Sequence, residues 1–180
     1  MSKCDLCGKD AKIHFGDGKG NTVERYCQTC GNRIMALNIG IEAAEDVPEE
    51  LFIVDSDGKA HRFKIEYLIL GYFQRLEAYE DCGTGYSCAV GAEFDITFPE
   101  LWERMMKKLE KKLNTKYIDE EGWPINNKIV GDIVWDSETD EKVVVIDGKP
   151  YTWEEVYRWV KAHEGWQIKI EFADSTDDME

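Results

Sequence analysis

Cys4-Asp5-Leu6-Cys7 and, nineteen residues further on, Cys27-Gln28-Thr29-Cys30 decide how the amino-terminal part of this chain folds. Two residues between paired thiols let both sulfurs reach one ion from a tight turn. Two such pairs complete a closed tetrahedral shell of thiolates around Zn²⁺, which is a structural arrangement because no position stays open for a substrate. A redox Cys-x-x-Cys occurs as a single pair between a strand and a helix, so two pairs favour the metal. Between them, Ile13, Phe15 and Val23 alternate on either side of Gly16-Asp17-Gly18-Lys19-Gly20-Asn21, a glycine-rich hairpin loop. Directly after the second pair, Ile34 and Leu37 fall at helical spacing. Knuckle, hairpin, then ligands at a helix start predicts a treble clef, with a two-knuckle zinc ribbon as the rival. His14 sits between two apolar strand residues and is expected to face solvent instead of joining Cys4, Cys7, Cys27 and Cys30 as a ligand.

Around this module the sequence resembles the zinc-binding amino-terminal modules of bacterial protein-arginine kinase activators. The likeness rests on Cys4-Asp5-Leu6-Cys7-Gly8-Lys9-Asp10-Ala11, on Ile13-His14-Phe15 and on Tyr26-Cys27-Gln28-Thr29-Cys30. It covers about thirty residues and implies the four ligands only, since small metal modules recur in proteins of unrelated function.

Charge divides the chain unevenly. Residues 1–40 hold six basic groups against four acidic ones, whereas the whole chain is −15 at neutral pH. The remainder therefore repels phosphate, and four thiolates around one Zn²⁺ cancel the small basic excess of the module. Direct nucleic-acid binding is disfavoured, with Lys12, Lys19 and Arg25 the one local basic patch to consider. Hydrophobic content of 43% and aromatic content of 12% suffice for a true core. Met1-Ser2-Lys3-Cys4 lacks the layout of a signal peptide and no apolar run has the length of a membrane span, so the expected compartment is the cytoplasm.

The rest reads as an α+β body. Residues 42–50 carry five acids, a proline and no base, the composition of a linker, so the expected units are 1–40, 41–50, 51–173 and an acidic, frayed tail at 174–180. Strands are expected at 51–55, 62–69, 72–79 and 86–92, with Asp57-Gly58 as a hairpin turn. Thr97 and Glu100 form a capping box ahead of a stripe of Phe98, Leu101, Trp102, Met105, Leu109 and Leu113. Thr152-Trp153-Glu154-Glu155 opens a shorter helix with Trp153, Val156, Tyr157 and Val160 on its stripe and Trp159 off it. Strands at 129–136 and 141–147 lie between the helices, and alternation at 166–172 predicts a last one. Asp-Gly-Lys at Asp17, Asp57 and Asp147 is repeated turn chemistry. The expected fold is thus a zinc module joined to a mainly antiparallel sheet carrying two helices.

From Gly131-Asp132-Ile133-Val134-Trp135-Asp136, through Val145-Ile146-Asp147-Gly148-Lys149 and Trp153-Glu154-Glu155, to His163-Glu164-Gly165-Trp166-Gln167, the chain is similar to a domain of unknown function from uncharacterised bacterial proteins. With the strands upstream, that likeness spans most of residues 50–173. It implies architecture and no mechanism.

Catalytic motifs are scarce. Three histidines, His14, His61 and His163, are the possible bases, and no G-x-S-x-G or H-E-x-x-H is present. Cys82, in a glycine-rich stretch, is the candidate thiol nucleophile, whereas Cys88 reads as a buried strand residue. The acid pairs Glu154/Glu155, Asp136/Glu138 and Asp140/Glu141 suit general acid–base work only inside a cleft. Arg158, Trp159, His163 and Trp166 form a candidate aromatic patch for a protein partner. The expected function is accordingly a non-enzymatic, zinc-stabilised adaptor or regulator that binds another macromolecule, most plainly a protein. An acidic mimic of nucleic acid that neutralises a basic enzyme, and an enzyme using Cys82 or a carboxylate pair, are the two rivals.

Overall fold

The computed structural model of the chain describes residues 2–16 and 18–177. The first knuckle closes through Gly8, whose N–H donates to Cys4 O over 3.0 Å and whose φ of 74° is the left-handed backbone that glycine adopts freely. A hairpin follows, β1 (Ile13–Gly16) against β2 (Thr22–Tyr26), with Ile13 opposite Tyr26. The turn read at Asp17 falls on a residue outside this description. Helix α1 (Gln28–Ile39) begins at once: Cys27 is the extended residue before its first turn and Cys30 lies inside that turn. It stops at Gly40, at φ 76°, where Ile41 N–H reaches back to Ala36 O.

Strands β3 (Glu50–Val54), β4 (Ala60–Leu70), β5 (Phe73–Glu80) and β6 (Ser87–Ala92) form one antiparallel sheet in chain order. Period-two alternation sets its buried face: His61, Phe63, Ile65, Tyr67 and Ile69 on β4, Gln74, Leu76 and Ala78 on β5. Helix α2 (Phe98–Asn114) lays Leu101, Met105, Leu109 and Leu113 across that face, all four wholly buried. Its start is held by the capping box, Thr97 N–H donating to Glu100 Oε2 at 2.9 Å.

Helix α1 joins this same core. Ala36 is buried in it, and Met35, Ile41, Ala43, Ala44 and Val47 pack against it, so the acidic stretch runs along the core with its apolar side chains inward. The joint is made by one side chain. The ladder between β3 and β4 ends where Ile65 N–H donates to Glu49 O, leaving the same edge of β4 open beyond it. Asn32 fills that edge: its Nδ2 donates to Tyr67 O (2.6 Å) and its Oδ1 accepts from Ile69 N–H (3.1 Å). A side-chain amide thus continues the ladder in place of a strand, and Gln28 Nε2 adds a second donor to Tyr67 O.

The carboxyl-terminal part builds its own sheet from β7 (Asp132–Asp136), β8 (Glu141–Ile146) and β9 (Lys149–Tyr151), followed by α3 (Trp153–Lys161). The body therefore holds two antiparallel sheets with one helix each, not one sheet carrying two. β9 is a three-residue strand created by the tight turn at Asp147-Gly148, with φ of 52° and 69°. Asp132 ties this sheet to the first by accepting from Lys112 Nζ and from Ser87 Oγ.

Two expectations for this part are corrected. Trp159, expected off the buried stripe, is 5% exposed, packs on Val144 and Ile146 and donates from Nε1 to Gly122 O at 3.0 Å. Trp153, Tyr157 and Val160 instead face solvent, because three short strands offer α3 only a narrow apolar strip, filled by Val156 and Trp159. Residues 166–172 alternate like a strand but pair with no strand among the described residues. The tail is docked at 174–177: Arg75 donates to Ser175 Oγ, and Lys108 Nζ to the carbonyls of Ser175 and Asp177.

Candidate metal centre

Backbone bonds between the first knuckle and β2 bring the two cysteine pairs together. Asp5 N–H donates to Arg25 O, Arg25 N–H returns to Asp5 Oδ2, and the Arg25 guanidinium clasps the same carboxylate. These contacts hold Asp5's carboxyl below its usual range, the amide of Arg25 contributing most. Tyr26 and Cys27 are buried with Cys4 beneath Ile13, Phe15 and Ile34, and Phe15 meets the Tyr26 ring edge-on at 5.8 Å. Gly31 lets α1 approach β1: a Cβ there would stand 2.4 Å from Ile13 Cδ1.

The four sulfurs of Cys4, Cys7, Cys27 and Cys30 all lie within 4.8 Å of one another, and those of Cys7 and Cys27 are 3.5 Å apart. Sulfurs at the corners of a thiolate tetrahedron with bonds of about 2.3 Å are separated by about 3.8 Å, so the cluster is sized for one ion. Its electrostatics suit the task. Burial opposes charge on Cys4, yet the amides of Cys27, Cys7 and Leu6 and the Cys7 thiol bring it down to about 6. Burial and the neighbouring sulfurs push Cys30 up to about 12. One anion is stabilised and the next is resisted, the behaviour of a shared site in which a cation relieves the mutual repulsion. His14 stands apart, exposed, with Nε2 3.2 Å from Ser2 Oγ. The basic residues flanking the site are already engaged: Lys12 with Glu66 and Arg25 with Asp5.

The other candidates lie apart from this centre. His61 is 2% exposed and bridges two carboxylates, Nε2 3.0 Å from Asp55 Oδ2 and Nδ1 2.9 Å from Glu80 Oε1. Both ring nitrogens are thus engaged by carboxylates. Its hydrogen bond, with the amides of Lys59 and Asp57, holds Asp55 below the usual carboxylate range. Cys82 is exposed in the following loop, close to Gly85, whereas Cys88 is buried on the core face of β6. Among the acid pairs, Glu155 caps α3, and Asp136 binds Glu138 N–H and Thr139 Oγ1 within a turn. Of the aromatic patch, Trp159 is buried, Trp166 is exposed, and His163 lies edge-on to Trp166 at 5.0 Å while hydrogen-bonded to Asn127 and Trp159 O. Sequence reasoning named His61 but did not single out Asn32 or the two carboxylates, Asp55 and Glu80, that His61 bridges. The alternation of β4, continued backwards from Phe63, places His61 on the buried face; no local signal marks Asn32.

Two family models match the chain. Residues 31–114 are similar to a domain of unknown function, DUF7686, and residues 113–177 to a second, DUF7713. They meet at the end of α2, where the first sheet's core gives way to the second. The likeness expected as one span over 50–173 is thus two domains of unknown function, and all four cysteines precede the first. No curated protein and no solved structure matches the chain. No helix among the described residues is long and apolar enough to cross a membrane.

Proposed function

We propose that this chain is a non-enzymatic, zinc-stabilised cytoplasmic adaptor that presents an aromatic helix face to a protein partner. The order of knuckle, hairpin and ligand-bearing helix start supports a treble clef holding Zn²⁺ in Cys4, Cys7, Cys27 and Cys30, in keeping with the likeness to protein-arginine kinase activator modules. Four sulfurs around one ion leave it no open position, so the metal's role is to fold the module and fix α1 against β4. The observation that carries the binding role is the outward stripe of α3, where Trp153, Tyr157 and Val160 are 49%, 56% and 43% exposed at i, i+4 and i+7. Aromatic side chains on a helix face form the anchors that protein interfaces use most. Arg158 and Trp166, from the patch read in the sequence, are likewise exposed.

The test compares capture of host proteins by the wild type and by Trp153→Ala/Tyr157→Ala. A specific partner should be lost with the double variant and retained with Phe52→Ala, an exposed change elsewhere. A partner held equally by both variants sinks the assignment of α3, and turnover abolished by Cys82→Ala sinks the non-enzymatic role.

A further inference from the structure

The segment 166–172 carries a strand pattern without a strand partner. Trp166, Ile168, Ile170 and Phe172 are 66%, 65%, 69% and 78% exposed. The backbone of residues 167–173 makes no hydrogen bond with any described residue. Lys169 Nζ lies 2.6 Å from Glu171 Oε2, which places these i and i+2 side chains on one side of an extended chain and the apolar set on the other. Both ends are anchored: Trp166 N–H donates to His163 O, and Ser175 is gripped by Arg75 and Lys108. A strand already held at both ends loses little further freedom when it pairs.

We propose that this segment pairs antiparallel with the same segment of a second copy, about a two-fold axis at Ile170. The sequence selects its own partner and register. Centred on Ile170, the pairing sets Ile170 against Ile170, Ile168 against Phe172, and Lys169 against Glu171 in both directions. Across the central residues 168–172 every cross-strand pair is then apolar with apolar or basic with acidic, while further out Gln167 meets Ala173 and Trp166 meets Asp174. Centring on Lys169 instead puts the two lysines opposite each other, which is unfavourable. Such a contact is isologous and closes as a dimer. The four exposed apolar side chains offer on the order of 500 Å² per copy, more than scattered surface residues leave open and somewhat under the roughly 800 Å² per partner of a standard interface. A reversible, concentration-dependent dimer follows.

Sedimentation of the full chain over a wide concentration range tests this. The wild type should dimerise, and Lys169→Glu or Glu171→Lys alone should weaken the dimer at least tenfold, since each sets like charges opposite. The double variant Lys169→Glu/Glu171→Lys should restore it, and an equimolar mixture of the two single variants should form a heterodimer. Ile170→Pro, on an exposed side chain outside every helix and strand, should abolish dimers without lowering Tm. A wild type that stays monomeric throughout, or dimers indifferent to both the charge changes and the proline, would overturn the proposal. So would concentration-independent protection of the 167–173 amides, which places the segment's partner within its own chain.

Discussion

Asn32 shows how much one side chain decides here. It is 6% exposed and supplies the hydrogen bonds that a strand residue would otherwise give to β4. Asn32→Ala should cost about 1–3 kcal/mol in denaturant unfolding, chiefly from leaving Ile69 N–H unpaired, since Gln28 still serves Tyr67 O. Asn32→Asp should cost at least as much as Asn32→Ala at neutral pH, because it sets a buried carboxylate oxygen against Tyr67 O where Asn32 has a donor. His61 offers a second test, because removing it strands Asp55 and Glu80 around an empty place. His61→Ala should destabilise by about 3 kcal/mol. The pH dependence has a defined sign. Asp55 is held below its ordinary range by His61, so its contribution is complete above the unfolded carboxylate pKa of about 4 and is lost as pH falls through the lower folded value. A wild-type unfolding profile that flattens below pH 4 in His61→Ala checks this.

At the scale of elements, α2 and α3 contrast. The stripe of α2 read from sequence is its buried stripe, because a four-stranded sheet offers a face wide enough for a whole helix side. Leu109→Ala in that contact should cost about 2–5 kcal/mol. The stripe of α3 is mostly exposed, and its position depends more on its cap, where Thr152 Oγ1 accepts from Glu155 N–H and the Glu155 carboxylate accepts from Thr152 N–H. Thr152→Ala should cost about 1 kcal/mol, read as earlier melting of the 113–177 region in hydrogen exchange. The unpaired segment 166–172 belongs to this scale too: alternation specifies which face is apolar, but a strand forms only where an edge is within reach.

For the whole molecule, the cysteine cluster and the first sheet are joined through one helix. Cys30 lies in the first turn of α1, Asn32 bonds to β4, and Ala36 is in the core, all on one helix. With Zn²⁺ held there as proposed, removing it should do more than unfold the first forty residues. Chelation, or Cys27→Ser, should lower the Tm of the 31–114 region as well, and stoichiometric Zn²⁺ should restore it. An unchanged melt of that region on chelation would show that α1 keeps its place without the ion.

The clustering of the four cysteines, the stripe of α2 with its capping box, the start of α3 and the alternation of β4 were legible because each depends on spacing along a few turns or residues. Local periodicity fixes which side chains share a face, and thiol spacing fixes which sulfurs come close enough to share an ion. The burial of Trp159 over Trp153, the second sheet, and the joining of α1 to β4 were not legible. Each depends on which surface lies opposite, on how wide it is and on which backbone groups it leaves unpaired. Those are properties of residues far apart in the chain, such as Trp159 with Gly122 or Asn32 with Ile69. The sequence by itself determined which four cysteines cluster and which side chains share a face; the tertiary structure decided which of those faces meet, because a buried face forms only against a partner that fits its width and satisfies its hydrogen bonds.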